Sequence, residues 1–286
     1  MKPAPFDYLA PEDLDEALSA LAEHEGEAKV LAGGQSLVPA MNFRLATPSV
    51  LVDLNRIRGL ANVRVSTGEL IIQALVRHRS LEVPATDDAA ARLLARMARH
   101  VGHLPIRVRG TFAGSLAHAD PAAEWCMLAV ALDATIVARS VRGTRRIEAR
   151  EFFQGLFTTT LADDEIITEV HLPLLGKAGT GFREKSQTAG GFATVAAVAV
   201  CTLHDGVIAD VRLAIAGASA TPVRAMRAES LLLGHEASPE ALADAARAAT
   251  EDVEPVSDAH VSADYRRHLV DVLARRALDD ALQAPS

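Results

Sequence analysis

Two short glycine turns, each closing a brief apolar run and standing about eighty residues apart, constrain this chain more than any other feature. The first, Ala32-Gly33-Gly34-Gln35-Ser36, stops the run Val30-Leu31 and gives way to Leu37-Val38-Pro39-Ala40-Met41, a pattern of strand, turn and short helix. The second lies within Ile106–Glu124, where basic Arg107 and Arg109 lead to Gly110 and Thr111, then to Phe112 and the small residues Ala113, Gly114 and Ser115, and finally to Asp120, Pro121 and Glu124. Glycine and serine at a turn let backbone N–H groups converge on an anion, and a helix starting nearby adds its positive end. Taken alone, the second stretch is better described as a surface turn followed by a helix opening at Asp120-Pro121. The pair says more, because a dinucleotide cofactor carries two phosphates between bulky ends and two facing backbone nests would clamp it. Neither GxGxxG nor GxxxxGK followed by Ser or Thr occurs, which disfavours a Rossmann domain and a P-loop.

The rest of the chain alternates short strands and helices. A helix is expected over 12–24, a buried strand over 49–54, a hairpin from 63–65 and 70–72, and a helix capped near Asp88 that runs to about Val101. Beyond the second glycine stretch come a helix from Pro121 to Leu132, strands at 134–139 and 144–148, and a segment at 164–172 that closes the unit. Leu174 to Gly181 has the glycine content of a linker. Strands at 182–187, 193–204 and 207–216 follow, then helices at 223–234, 239–250 and 262–282, with a frayed end over the last four residues. The expected units are 1–55, 56–176 and 177–286.

Composition narrows the function classes. With 286 residues, 49% hydrophobic and 23% charged, the chain reads as globular, and its net charge of −8 argues against a nucleic-acid partner. Cys126 and Cys201 lie in no CxxC or ligand spacing, so they read as reduced core thiols, with no metal or cluster held by the chain itself. The first residues lack a signal peptide's apolar segment and no run of eighteen apolar residues follows, so a cytoplasmic protein is expected. Arginines 139, 142, 145, 146 and 150 read as a solvated hairpin face, and Asp164 and Glu165 as a turn before a strand rather than as acid–base groups.

KVLAGGQSLVPAMNFR (Lys29 to Arg44) and IRVRGTFAGSLAHADPAAE (Ile106 to Glu124) together resemble the two flavin-binding signatures of the medium subunit of molybdenum hydroxylases, the family of aerobic carbon monoxide dehydrogenase and xanthine dehydrogenase. The similarity extends to DEIITEVHLP and to FREKSQTAGGFATVAAVAV (Phe182 to Val200). The resemblance implies an α+β chain: a two-part FAD-binding region of the vanillyl-oxidase (PCMH) type, then a C-terminal domain with an antiparallel sheet and a three-helix bundle. It implies FAD whose diphosphate lies against Ala32, Gly33, Gly34, Gln35 and Ser36 and against Thr111, Phe112, Ala113, Gly114 and Ser115. Glu124, with Asp120 beside it, would meet ribityl or ribose hydroxyls, Ile167 would pack on a ring, and Lys185 would lie near the flavin's polar edge. No side chain is implied as catalytic.

The chain departs from the family pattern at three places. Ala113 stands where a second glycine is usual, Glu124 where Asp is usual, and Phe192 where a Tyr often lies beside the flavin. A positive φ at Ala113 would be strained by roughly 1 kcal/mol. The implied function is an electron-transfer subunit, fed by [2Fe–2S] clusters of a small subunit and ultimately by a molybdopterin-binding large subunit, and passing electrons to an external acceptor. A dimer of such heterotrimers is the implied assembly. A stand-alone flavin-dependent reductase or oxidase and a non-catalytic nucleotide-binding scaffold remain as alternatives. A yellow protein would exclude the scaffold.

Overall fold

The computed structural model describes residues 1–24 and 26–283, so the expectations that touch Glu25 and Ala284–Ser286 fall outside the described residues. Three sheets follow one another along the chain. The first is parallel, in the order β1-β3-β2, from β1 (Asp7–Leu9), β2 (Ala28–Leu31) and β3 (Val50–Asp53). Helix α1 (Leu14–Glu23) covers it, opened by Asp13, whose carboxylate accepts from Glu16 N, and anchored by Ala17, Leu18 and Leu21. Short α2 (Leu37–Asn42) follows the first glycine turn.

The second sheet is antiparallel throughout, in the order β4-β5-β10-β6-β7. Its strands are β4 (Val63–Ser66), β5 (Glu69–Gln73), β6 (Thr135–Ser140), β7 (Gly143–Glu148) and β10 (Ile166–Pro173). Between β5 and β6 the chain runs through α3 (Ala89–Ala98), α4 (Leu104–Arg107), α5 (Phe112–His118) and α6 (Glu124–Ala131). After β7 come α7 (Ala149–Phe152) and the small ribbon of β8 (Phe153–Gly155) and β9 (Thr158–Thr159). The arginine-rich hairpin is an ion-paired face: Arg142 with Asp164, and Arg145 with both carboxylate oxygens of Glu165 at 2.7 Å. Glu165 is pushed up by burial, yet its Arg145 partner wins and holds it below the ordinary carboxyl range.

The third sheet, in the order β11-β12-β13-β14, consists of β11 (Gly179–Ser186), β12 (Ala193–His204), β13 (Val207–Ala216) and β14 (Val223–Arg224). Helices α8 (Met226–Leu232), α9 (Pro239–Ala249) and α10 (Ala263–Gln283) pack on one of its faces. On the other face β12 presents Ala196, Val198 and Val200 to the core of the second sheet, while its Val195, Ala197 and Ala199 join the α10 core. Helix α6 is wedged into that junction, and every one of its residues from Glu124 to Ala131 is buried.

Several sequence expectations are corrected here. The small-residue stretch Ala113-Gly114-Ser115 is not a turn but the first turns of α5, with Thr111 as N-cap. Ala113 is therefore helical and carries no positive φ, so the strain considered for it does not arise. Helix α6 opens at Glu124 rather than at Pro121, because Ala119 adopts φ 53° and Asp120 turns back to accept from Ala122 N at 2.8 Å. Gly179 and Gly181 belong to β11, not to a flexible linker. A β-carbon at either would stand 1.8 Å from a carbonyl oxygen of α10, Ala281 O or Ala277 O respectively, so both glycines serve close packing of helix on strand. The segment expected as helix 223–234 starts with strand β14 and is helical only over Met226–Leu232.

Candidate functional site

At the end of β2 the chain turns at Gly34, whose φ of +72° suits glycine, and Val38 N donates to Gly34 O at 3.0 Å to start α2. Gln35 folds back to donate Nε2–H to Gly33 O at 3.1 Å. Among the described residues, none of the backbone N–H groups from Gly33 through Leu37 has a protein acceptor. Consecutive free N–H groups on a glycine turn form a concave, partially positive surface. Such a surface suits a diphosphate.

The second glycine stretch abuts the first. A β-carbon on Gly33 would lie 2.6 Å from Arg109 O and 2.7 Å from the Gly110 Cα, so the two turns pack backbone on backbone. Gly110 in turn lies over the His78 ring, within 2.6 Å of where its own β-carbon would be. Thr111 Oγ1 accepts from Gly114 N at 3.1 Å, Phe112 N donates to Val76 O at 3.1 Å, and Ala113 N keeps no protein acceptor. The free N–H at the start of α5 thus adds to the row on the first turn.

Four residues that sequence reasoning passed over hold this junction. Arg77 donates to Arg109 O and to Asn55 Oδ1, and Asn55 Nδ2 donates to Ala32 O at 2.8 Å, so one chain of hydrogen bonds ties both glycine segments together. Below it His78 Nδ1 accepts from Trp125 Nε1 at 3.0 Å, and His78 N donates to Gly110 O at 3.0 Å. Burial first, and the charges of Arg77 and Arg107 second, lower the His78 pKa to about 4, so the ring is neutral and free to accept. No spacing in the sequence signals these contacts, since Asn55, the adjacent Arg77 and His78, and Trp125 belong to three separate segments.

Past α5, Cys126 Sγ lies 3.6 Å from Ser115 O, which sets the first turn of α6 directly beside the second glycine stretch. Glu124 is only 6% exposed there. Burial above all, then the neighbouring carboxylates Glu184 and Asp120, lift its pKa to about 8 despite its own backbone amide. Ile167 on β10 is buried in the core shared with α5 and α6. Ala32 through Ser36, Thr111 through Ser115, Asp120 and Glu124 are therefore neighbours. Lys185 and Phe192 stand apart: Lys185 is exposed on the strand face turned to α10, and Phe192, 71% exposed, ends the loop between β11 and β12. That loop touches the second unit where Gly190 meets the His103 ring.

The pair His100 and His103 finds no third ligand; among the described residues no group of three His, Cys, Asp or Glu side chains is arranged to hold a metal ion. Both cysteines are free and buried, and no described helix is long and apolar enough to cross a membrane. Residues 4–175 match the model of the FAD binding domain in molybdopterin dehydrogenase, and residues 180–281 match that of the CO dehydrogenase flavoprotein C-terminal domain. The chain is 39% identical to the 6-hydroxypseudooxynicotine dehydrogenase complex subunit alpha of Paenarthrobacter nicotinovorans, over 99% of this chain and 96% of that one. It is 38% identical to the nicotine 6-hydroxylase medium subunit of the same organism, over 98% and 99%. Its fold superposes on a chain of carbon monoxide dehydrogenase from Hydrogenophaga pseudoflava with a TM-score of 0.97, 32% identity and full coverage of both.

Proposed function

Because the chain belongs to the family of FAD-binding medium subunits of the molybdenum hydroxylases, we propose that it is the electron-transfer subunit of such a complex, standing between the [2Fe–2S] clusters of a small partner chain and an external acceptor. The observation that carries this reading is the row of unpaired backbone N–H groups from Gly33 to Leu37, continued by Ala113 N at the start of α5. Those groups would hold the cofactor's diphosphate, and Gly33 sets their spacing because its missing side chain lets the two turns pack backbone on backbone. Glu124 and Asp120 would receive the sugar hydroxyls, Ile167 would back a ring, and Phe192 and Lys185 would border the exposed edge. The bound isoalloxazine supplies the redox chemistry, and no side chain of this chain is asked to abstract a proton.

On the same footing we assign residues 1–55, 56–176 and 177–286 as three units, a division supported by each of the three sheets lying wholly within one of them. A cytoplasmic location, a large partner chain carrying molybdopterin, and a dimer of heterotrimers complete the proposal. The test is purification of the native complex with flavin, iron and molybdenum assayed together, for wild type and for Gly34→Val. The expected result is stoichiometric flavin in the wild type. In the variant, flavin is lost while iron and molybdenum are retained, and electron flow to the acceptor stops. Wild-type complex without flavin would overturn the reading.

A further inference from the structure

Strand β11 carries one buried carboxyl with nothing to bind. In the β11–β12 register Glu184 pairs with Ala196 and Phe182 with Val198, both on the face turned to α3 and α6, whereas Lys185 pairs with Val195 on the face turned to α10. Arg183, also on the α10 side, is taken by Asp280 at 2.6 Å. The Glu184 side chain is 4% exposed and its Oε2 has no hydrogen-bond partner.

Neither His100 nor Arg96 on that side supplies the missing donor. His100, just past the end of α3, reaches only to 4.0 Å through Nδ1, and burial first, then Arg96, lower the pKa of that imidazole. Arg96, one turn earlier, gives its guanidinium to Thr180 O and Oγ1, both at 3.0 Å. From α6 the facing group is Glu124, another buried carboxyl, whose one donor is its own amide; Asp120 adds a third acidic group. Burial lifts Glu184 to about 7. A buried acceptor left without a donor is costly, and a second buried carboxyl near it adds to the cost.

We infer that Glu184 and Glu124 form a two-carboxyl acceptor for the hydroxyls of the cofactor's ribityl chain, one carboxyl supplied by the C-terminal sheet and one by α6. The inference rests on the FAD site proposed above and extends it. The ligand that satisfies such a pair must offer several adjacent hydrogen-bond donors and no negative charge. A polyol does this and a phosphate does not. The site thereby sorts the cofactor along its length, with free N–H groups at Gly33–Leu37 for the anionic diphosphate and the unpaired Glu184 Oε2, together with the Glu124 carboxyl, for the neutral hydroxyl chain. It also makes the cofactor a bridge between the second and third sheets.

The test is titration of the deflavinated complex with FAD and with FAD analogues each lacking one ribityl hydroxyl, followed by flavin fluorescence, for wild type, Glu184→Ala and Glu184→Gln. Glu184→Ala is expected to weaken FAD by about tenfold or more, and Glu184→Gln, which keeps a carbonyl acceptor, by less. For at least one deoxy analogue, wild type and Glu184→Ala should bind equally. Unchanged FAD affinity in the Ala variant, or the same loss with every analogue, overturns the inference. If the Ala variant does not fold, the near-isosteric Gln variant decides by the same analogue comparison. Gly34→Val separates the two claims: flavin lost there but unaffected at Glu184 sinks this inference alone, and flavin unaffected at both sinks the site.

Discussion

The backbone of Gly33 lies against that of Gly110 so closely that a β-carbon on Gly33 would stand 2.7 Å from the Gly110 Cα. The contact fixes the spacing of the two N–H rows. Gly33→Ala is expected to force the turns apart at a cost of roughly 1–3 kcal/mol and to lower bound flavin, read from the ratio of 450 to 280 nm absorbance and from a thermal melt. Full flavin occupancy with an unchanged melt would show that the turns do not act together.

Thr111 caps α5 through its hydroxyl, which accepts from Gly114 N. Thr111→Ala should cost about 1 kcal/mol, and Thr111→Ser should recover most of it. Hydrogen exchange at Gly114 and Ser115 is the measurement. Exchange as slow in the Ala variant as in wild type would remove the cap from the argument.

Glu124, raised to about 8, and Glu184, raised to about 7, both favour the proton in the folded, cofactor-free chain relative to the ordinary value of 4.5. Raised acid pKa values mean that this contribution to stability is fully present below pH 4.5 and is lost progressively as the pH climbs through 7 and 8. For Glu124 the full swing is on the order of 4 kcal/mol. The groups that face the pair are His100, Arg96 and Asp120. Melts of the deflavinated chain should fall between pH 5 and 8, and Glu124→Gln should flatten that slope. A slope identical in the variant would refute the assignment.

Gly181 and Gly179 let α10 approach β11, and a β-carbon at either would collide with a helix carbonyl. Gly181→Ala is expected to destabilise by about 3 kcal/mol or more, seen as a lower urea midpoint. A midpoint equal to wild type would mean that the helix shifts freely.

Phe192 is exposed, so Phe192→Tyr should leave stability within about 0.5 kcal/mol. The hydroxyl it restores is expected to change the flavin midpoint potential or the rate of reaction with oxygen. If spectroelectrochemistry and oxygen consumption are both unchanged, Phe192 does not border the flavin.

What the sequence disclosed depended on whether a residue's role is local. The break between the strands expected at 193–204 and 207–216 was legible because Asp205 and Gly206 take φ values of 52° and 81° that such a pair favours. The first glycine turn was legible for the same reason at Gly34. Helix α5 was not, because Gly110, Ala113, Gly114 and Ser115 look like turn residues, and the buried pair Phe112 and Leu116, spaced for one helical face, is too short a signal to outweigh them. Helix α6 shows no period because it is buried on every side, which hid its true start. The inward position of Glu184 beside the exposed Lys185 was not legible, because which face a strand residue takes depends on a register that only the pairing with β12 fixes. The link from Arg77 through Asn55 to Ala32 joins segments that only the fold brings together.

Strand β12 is a wall shared by two rooms, its Ala196, Val198 and Val200 on one side and its Val195, Ala197 and Ala199 on the other. Because the third sheet shares the second of those rooms with α8, α9 and α10, a motion that parted it from the second sheet would strip only the side lined by Ala196, Val198 and Val200. Opening the proposed cofactor site by such a motion would therefore cost the burial of that one side and leave the α10 core whole. At the rim of that side, the loop from Gln187 to Phe192 meets Gly102 and His103 through Gly190.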